Sequence, residues 1–263
     1  MEDKESREKA ANEHTYDNGF HPKKVTLKNN YNFYPKNIFY KFGHFLTALL
    51  TRFFLILPKI LVWGFKTKGR KYKKYAKGAL LCSNHTHPLD SLIIGSNFLT
   101  KTIYFTTLQS NLGFPIISKY FRLGGAVPIP EDSKLTISFH KQTLRTLERK
   151  KENILFYPEA ALIPFSDHLR PFHQGIFHYA TNGCIILPVL LTYHKPKGLY
   201  KLTRRKKPCI HLNYLPPYKV ENIGARKDII NKASNDVFKI MDDYFKKESD
   251  YFYKDGILIK NEK

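Results

Sequence analysis

From residue 78 onward, short apolar runs alternate with segments of helical pattern. That alternation restricts the chain to an α/β domain. ALLCS (79–83), TIYFTT (102–107), AVPI (126–129), NILFY (153–157), CIILPVLLTY (184–193) and CIHLNYL (209–215) are predicted strands. Between them, 88–98, 114–123, 133–149 and 174–179 are predicted helices, and a long amphipathic helix is predicted over 225–247. Pro88 is placed at a first helical position, where its missing N–H does no harm. The pattern predicts a largely parallel or mixed sheet flanked by helices. Sites in such sheets gather beyond the carboxyl ends of strands, so the loops at 84–90 and 158–159 are expected to meet.

The segment before residue 78 has a different character. FLTALLTRFFLILPKILVWGF (45–65) is the most apolar stretch and is just long enough to span a bilayer. Arg52, Pro58 and Lys59 interrupt it, and a charge near a bilayer centre is costly. An interfacial or re-entrant helical pair, bent near Pro58, is the favoured reading over a spanning helix or a core helix. KTKGRKYKKYAK (66–77) follows, with seven basic residues in twelve. Basic residues beside an apolar segment attract anionic headgroups, and Tyr72 and Tyr75 suit the headgroup layer. The whole chain carries a net charge of +22, which points to a polyanionic partner. The expected organisation is a mobile polar tail over 1–30 with no signal peptide, an apolar helical membrane-associating segment plus basic stretch over 31–77, the α/β domain over 78–250, and a C-terminal tail over 251–263. Cys82, Cys184 and Cys209 have no paired spacing and are expected to be reduced, mostly buried thiols.

SNHTHPLDSL (83–92) carries the densest chemistry. His85 lies ahead of the predicted helix and Asp90 lies in its first turn. Five residues apart on a regular helix, the two would face about 140° away from each other. The turn between them allows Asp90 to reach back to one imidazole nitrogen while the other faces outward. An aspartate that fixes tautomer and stabilises the imidazolium is the arrangement of acyl-transfer bases. The competing possibility is a metal site built from His85, His87 and Asp90. Zinc needs three or four ligands, and the other histidines are scattered singly.

NHTHPLD (84–90) resembles the Asn-His-x4-Asp signature of glycerolipid acyltransferases of the lysophosphatidate acyltransferase type. Three further blocks follow in that family's order. RLGGAVPIP (122–130) resembles the second block, LFYPEAA (155–161) the Phe-Pro-Glu-Gly block with Tyr157 and Ala160 replacing two positions, and IILPVLLTY (185–193) the last. LRPFHQGIFHYA (169–180) is similar to the segment after the Pro-Glu block, so the resemblance spans about 40 to 215.

The resemblance implies that His85 is the general base and Asp90 its orienting partner, with no metal. It implies that Asn84, Gly125, Pro158 and Glu159 belong to the substrate site, and that His87 is a loop histidine near the helix cap. The co-substrate is acyl-CoA or acyl-carrier protein, with no further cofactor. The acceptor is the hydroxyl of a lysophospholipid or related glycerolipid, at the cytoplasmic face of a membrane, with no nucleic acid as partner. The acyl chain is expected in an apolar pocket between the site and the N-terminal helices. Two arginines that such enzymes direct at phosphate are absent, their positions held by PIPED (128–132) and by Ala160-Ala161-Leu162. Arg170 is the first candidate substitute, with Arg122 and Lys119 behind it. The alternatives are a basic nucleic-acid-binding protein and a non-catalytic lipid-binding protein.

Overall fold

The computed structural model describes residues 23–58, 61, 64–98, 101–114, 117–204, 207–221, 223–254 and 257–260. The first helix, α1 (Ile38–Leu57), is capped by Asn37, whose side chain accepts from the Tyr40 amide at 2.7 Å. It starts earlier than the apolar run suggested and stops at Leu57, ahead of Pro58. The second half of the proposed helical pair falls mainly outside the described residues. Next come β1 (Lys66–Lys68), β2 (Leu80–Ser83), α2 (Asp90–Gly95), β3 (Ile103–Leu108), α3 (Ile117–Leu123) and β4 (Ala126–Ile129). They are followed by α4 (Ser133–Glu148), β5 (Asn153–Phe156), a 3-10 helix at Gln174–Asn182, β6 (Ile185–His194) and the short α5 (Tyr200–Thr203). The chain continues with β7 (Cys209–Tyr214), β8 (Tyr218–Lys219), α6 (Arg226–Glu248) and a hairpin of β9 (Tyr251–Lys254) and β10 (Ile257–Lys260).

The sheet is mixed, in the order β1-β7-β6-β2-β5-β3-β4, with β8 beside the start of β6. The ladders β6–β2, β2–β5, β5–β3, β3–β4 and β1–β7 are parallel, and β7–β6 and β8–β6 are antiparallel. The central strands are buried along their length, as strands covered on both faces are. Leu80, Leu81, Ile154, Leu155, Ile186 and Leu187 form the middle of the core, each worth about 1.5–3 kcal/mol of burial. Pro188 lies inside β6 without breaking it. β7 pairs with β6 from Val189 onward and β8 at Ile185 and Ile186, so Pro188 occupies the gap between the two ladders.

The crossovers β2-α2-β3 and β4-α4-β5 run in opposite directions across the sheet. Right-handed connections therefore place α2 and α3 on one face, and α4 and the 3-10 helix at Gln174–Asn182 on the other. α1 packs on α2 and α3. Residues 31–36 wrap round the β4 edge toward α4. Phe33 and Tyr34 are buried, the Phe33 amide donates to Gln142 Oε1 at 3.0 Å, and the Tyr34 hydroxyl lies 2.8 Å from Thr143 Oγ1.

Three segments depart from the sequence reading. Most of the expected N-terminal tail, residues 1–22, lies outside the described residues; residues 23–30 lie against the domain, with Leu27 buried and the Lys23 amide donating to the Gly113 carbonyl. The basic stretch supplies β1, the edge strand of the sheet. Its Lys66 and Lys68 are exposed, the composition that protects a sheet edge from further pairing. At the other terminus, the expected tail forms the β9–β10 hairpin.

α1 is inverted with respect to a water-soluble helix. Its docked side is Tyr40, His44, Thr47, Thr51 and Leu55. Its open side carries Phe39 at 85% exposure and Phe53 at 70%, with Phe42, Phe45 and Phe54 along the same helix. Docking is polar: the Tyr40 hydroxyl donates to the Arg122 carbonyl at 2.9 Å, His44 Nδ1 meets the Leu123 carbonyl at 2.8 Å, and Thr51 meets the Tyr120 hydroxyl. By length and composition α1 can cross a membrane.

Arg122 joins these parts. Its guanidinium donates to the carbonyls of Phe33 and Ala126, both at 2.9 Å, and to that of Asn32, and it stacks over Tyr31. Arg122→Ala is expected to cost about 2–4 kcal/mol, since it leaves several carbonyls without their donor; urea unfolding monitored by circular dichroism measures the loss.

Candidate active site

β2 and β5 are parallel neighbours in register Cys82 with Phe156. The loops that leave their carboxyl ends therefore lie side by side, as the strand pattern predicted. The His85 amide donates to Glu159 Oε1 at 3.3 Å, the Ile163 amide to the His85 carbonyl at 3.1 Å, and the Phe165 amide to Thr86 Oγ1 at 2.9 Å.

Asp90 opens α2, so Pro88 is not its first residue but part of the turn before it. The reason is the Asp90 carboxylate, which folds back over that turn. Its Oδ2 accepts from the amides of Thr86 at 2.7 Å and His87 at 2.8 Å, and from His85 Nδ1 at 3.1 Å. The carboxylate is fully buried, while the His85 side chain is 24% exposed. A carboxylate only accepts, so the imidazole carries its proton on Nδ1 and Nε2 keeps its lone pair. Asp90 Oδ1 is buried with no hydrogen-bond partner among the described residues.

His87 has a different part. Its Nδ1 accepts from the Leu89 amide at 3.1 Å, and burial holds its imidazole below the ordinary range. It stabilises the turn, as expected of a histidine near the cap. Among the described residues no three His, Cys, Asp or Glu side chains gather as metal ligands.

Glu159 is buried and bridges two backbone segments: Oε1 takes the His85 amide and Oε2 the Arg170 amide at 3.1 Å. Burial pushes its carboxyl up to about 7, against the lowering by those two amides and by Arg170. Arg170 Nη1 is buried with no hydrogen-bond partner among the described residues. Pro158 shapes the turn, and its carbonyl accepts from the His173 amide at 2.9 Å. Ala160 takes a left-handed conformation, φ 53°, which costs a non-glycine residue about 1 kcal/mol.

The remaining expected site residues serve the fold. The Asn84 amide donates to the Leu191 carbonyl at 3.0 Å and accepts the Leu191 amide at 2.9 Å, which uses its side chain to tie the loop to β6. Gly125 has φ 103°, and a Cβ there would fall 2.6 Å from the Ile103 carbonyl oxygen. Close backbone approach explains that glycine. Arg122 is spent on backbone carbonyls, and Lys119 is exposed on α3 beside Tyr31 and Leu112. Among the described residues, the cavity between the site and α1, bordered by His44, Ser91, Leu92 and Gly124, holds about 30 Å3, too little for the acyl pocket expected there.

Two residues escaped the sequence reading. The Tyr157 ring stacks on His85 at 4.1 Å between centroids, and its hydroxyl lies 2.8 Å from Ser91 Oγ. Burial pushes the Tyr157 hydroxyl well above its ordinary range, so the ring is a neutral platform that fixes the imidazole plane. The available signal was the tyrosine in place of phenylalanine directly before Pro158.

Residues 64–192, which contain this histidine, its aspartate and Glu159, match the family model described as Acyltransferase. Among solved structures, the 1-acyl-sn-glycerophosphate (LPA) acyltransferase PlsC from Thermotoga maritima matches with 14% identity and a TM-score of 0.45, over 76% of this chain and 97% of its own. No curated protein matches.

Glu159 makes the stability of this domain pH-dependent. Between pH 4.5 and about 7 the unfolded chain ionises this carboxyl while the folded chain keeps it protonated. The contribution is therefore full below 4.5 and is lost as pH rises to about 7, by roughly 3 kcal/mol. Glu159→Gln mimics the protonated form. The stability difference between wild type and this variant is expected to shift by that amount across the window, measured by urea unfolding at a series of pH values.

Proposed function

We propose that this chain is a monotopic O-acyltransferase at the cytoplasmic face of a membrane. It moves a fatty acyl group from acyl-CoA or acyl-carrier protein to a hydroxyl of a lysophospholipid or related glycerolipid, in phospholipid biosynthesis or remodelling. The observation that carries this reading is the His85–Asp90 pair, with Nδ1 held by Asp90 Oδ2 at 3.1 Å and Nε2 left as a base.

In the proposed step, His85 Nε2 takes the proton of the acceptor hydroxyl as its oxygen attacks the thioester carbonyl. Asp90 stabilises the imidazolium through Nδ1–H. The tetrahedral intermediate collapses, the C–S bond breaks, and the imidazolium proton passes to the departing thiolate. One C–O bond forms, one C–S bond breaks, and His85 returns to its neutral state. The stacked Tyr157 ring limits rotation of the base.

Arg170 is the proposed partner of the acceptor phosphate, because its buried Nη1 lacks a hydrogen-bond acceptor and its amide is tied to Glu159 beside His85. A guanidinium here replaces the two missing phosphate-directed arginines. The open face of α1 is the proposed membrane contact: apolar area of this extent marks an interaction surface. Because its other side is docked on α3, α1 lies in the interface rather than across it. The acyl chain then rests against this face or in a pocket that opens with substrate.

Labelled acyl-CoA and acyl-carrier protein, offered in detergent micelles with a panel of phosphorylated and unphosphorylated lipid acceptors, test the reading. His85→Ala is expected to lower transfer by about 10²–10⁴, and Asp90→Asn to lower kcat with little effect on KM. Transfer that persists in His85→Ala sinks the mechanism. Arg170→Gln is expected to raise KM about tenfold or more for phosphorylated acceptors and to leave unphosphorylated ones unchanged; an equal effect on both classes excludes the phosphate role.

A further inference from the structure

A groove of about 500 Å3 runs between the C-terminal half of α1 and the sheet edge at β1. Arg52, Lys66, Lys68 and Arg70 line it, together with the apolar Ile56 and Phe65. Lys68 is paired with Glu248 at 2.6 Å. Among the described residues no carboxylate pairs with Arg52, Lys66 or Arg70. Burial, then the charges of Arg70, Arg52 and Lys101, hold the neighbouring Lys73 ammonium below its ordinary range.

Position distinguishes this groove from an ordinary basic surface. Ile56 belongs both to the groove wall and to the open face of α1, where it is 44% exposed. Arg52 precedes the exposed Phe53 and Phe54. The cations therefore stand at the border of the apolar face, the level at which lipid phosphates lie when such a face is immersed. A second cationic groove offers the contrast. It is about 630 Å3, lies along α4, and holds Lys36, Lys134, Lys141 and Arg145, with no residue of α1 in its wall. α4 is on the other face of the sheet from α2 and α3, on which α1 packs.

We propose that the groove between α1 and β1 binds the phosphate of an anionic phospholipid seated in the membrane, at a site separate from the acceptor site. The separation follows from α2: Ser96 and Asn97, just past its C-terminal end, line the groove, whereas His85 and Asp90 lie at its N-terminal end. The guanidiniums of Arg52 and Arg70 supply forked donors for phosphate oxygens, and Lys66 adds a third positive charge. Ile56 and Phe65 meet the lipid's glycerol and first methylenes. The inference rests on the membrane reading of α1.

Vesicle flotation of the full chain separates the two. The lipids are phosphatidylcholine alone and phosphatidylcholine with a minor share of phosphatidylglycerol. Wild type is expected to float with both and to prefer the anionic vesicles. Arg52→Gln/Arg70→Gln is expected to keep binding to phosphatidylcholine and lose that preference by about tenfold or more. Lys134→Gln/Lys141→Gln removes the same charge from the α4 groove and is expected to keep it. Equal loss in both double variants, or no loss in the first, overturns the groove site and leaves the membrane reading standing. Wild type that floats with neither vesicle overturns both. Loss of the preference on adding inorganic phosphate, but not sodium chloride of equal ionic strength, shows a site for soluble phosphate and overturns the lipid assignment. Arg70→Gln alone, at an exposed position, decides the question should the double variant fail to fold.

Discussion

The parallel pairing of β2 with β5 is the constraint on which the site depends. It sets Cys82 opposite Phe156, so the chain leaves the sheet at two adjacent points on the same edge. Everything that follows is short-range: Asp90 gathers the amides of Thr86 and His87 together with the His85 ring, and Glu159 reaches across to the His85 amide. Each carboxylate thus holds backbone as well as side chain. A base attached to a loop is held here by two acidic groups, one at the start of α2 and one in the loop after β5.

Glu159 and Asp90 are both buried, with different sets of donors. Asp90 accepts three donors on one oxygen, whereas Glu159 accepts one amide on each of its two and is pushed up to about 7 by desolvation. The two carboxyls are close enough for Asp90 to add to that rise. The rise at Glu159 follows from desolvation that its two amide donors and Arg170 do not offset.

Much of this was legible in the sequence because parallel central strands are short and apolar throughout. The runs at 79–83, 126–129 and 153–157 became β2, β4 and β5 almost residue for residue. The spacing of His85 and Asp90 likewise carried its own geometry. What could not be read was what depends on tertiary neighbours. Asn84 stands beside His85 in the chain, yet its amide is consumed by Leu191, more than a hundred residues away. The lysines of β1 carry no apolar strand pattern, because an edge strand tolerates such residues. Arg122 was a phosphate candidate by charge, and its carbonyl partners at Phe33 and Asn32 come from a stretch expected to belong to the membrane-associating helical segment. For Tyr157 the local signal was the tyrosine in place of phenylalanine before Pro158, and it did not point to the imidazole that the ring supports.

The inverted face of α1 changes what a stability measurement on this protein means. Its phenylalanines are largely open to solvent in the folded state, so folding in plain water recovers only a small part of their hydration free energy. Any amphiphile that covers them binds the native state in preference to the unfolded one and shifts the folding equilibrium by mass action. A melting temperature recorded in buffer and one recorded with micelles are then properties of two different systems. Neither value belongs to the polypeptide alone.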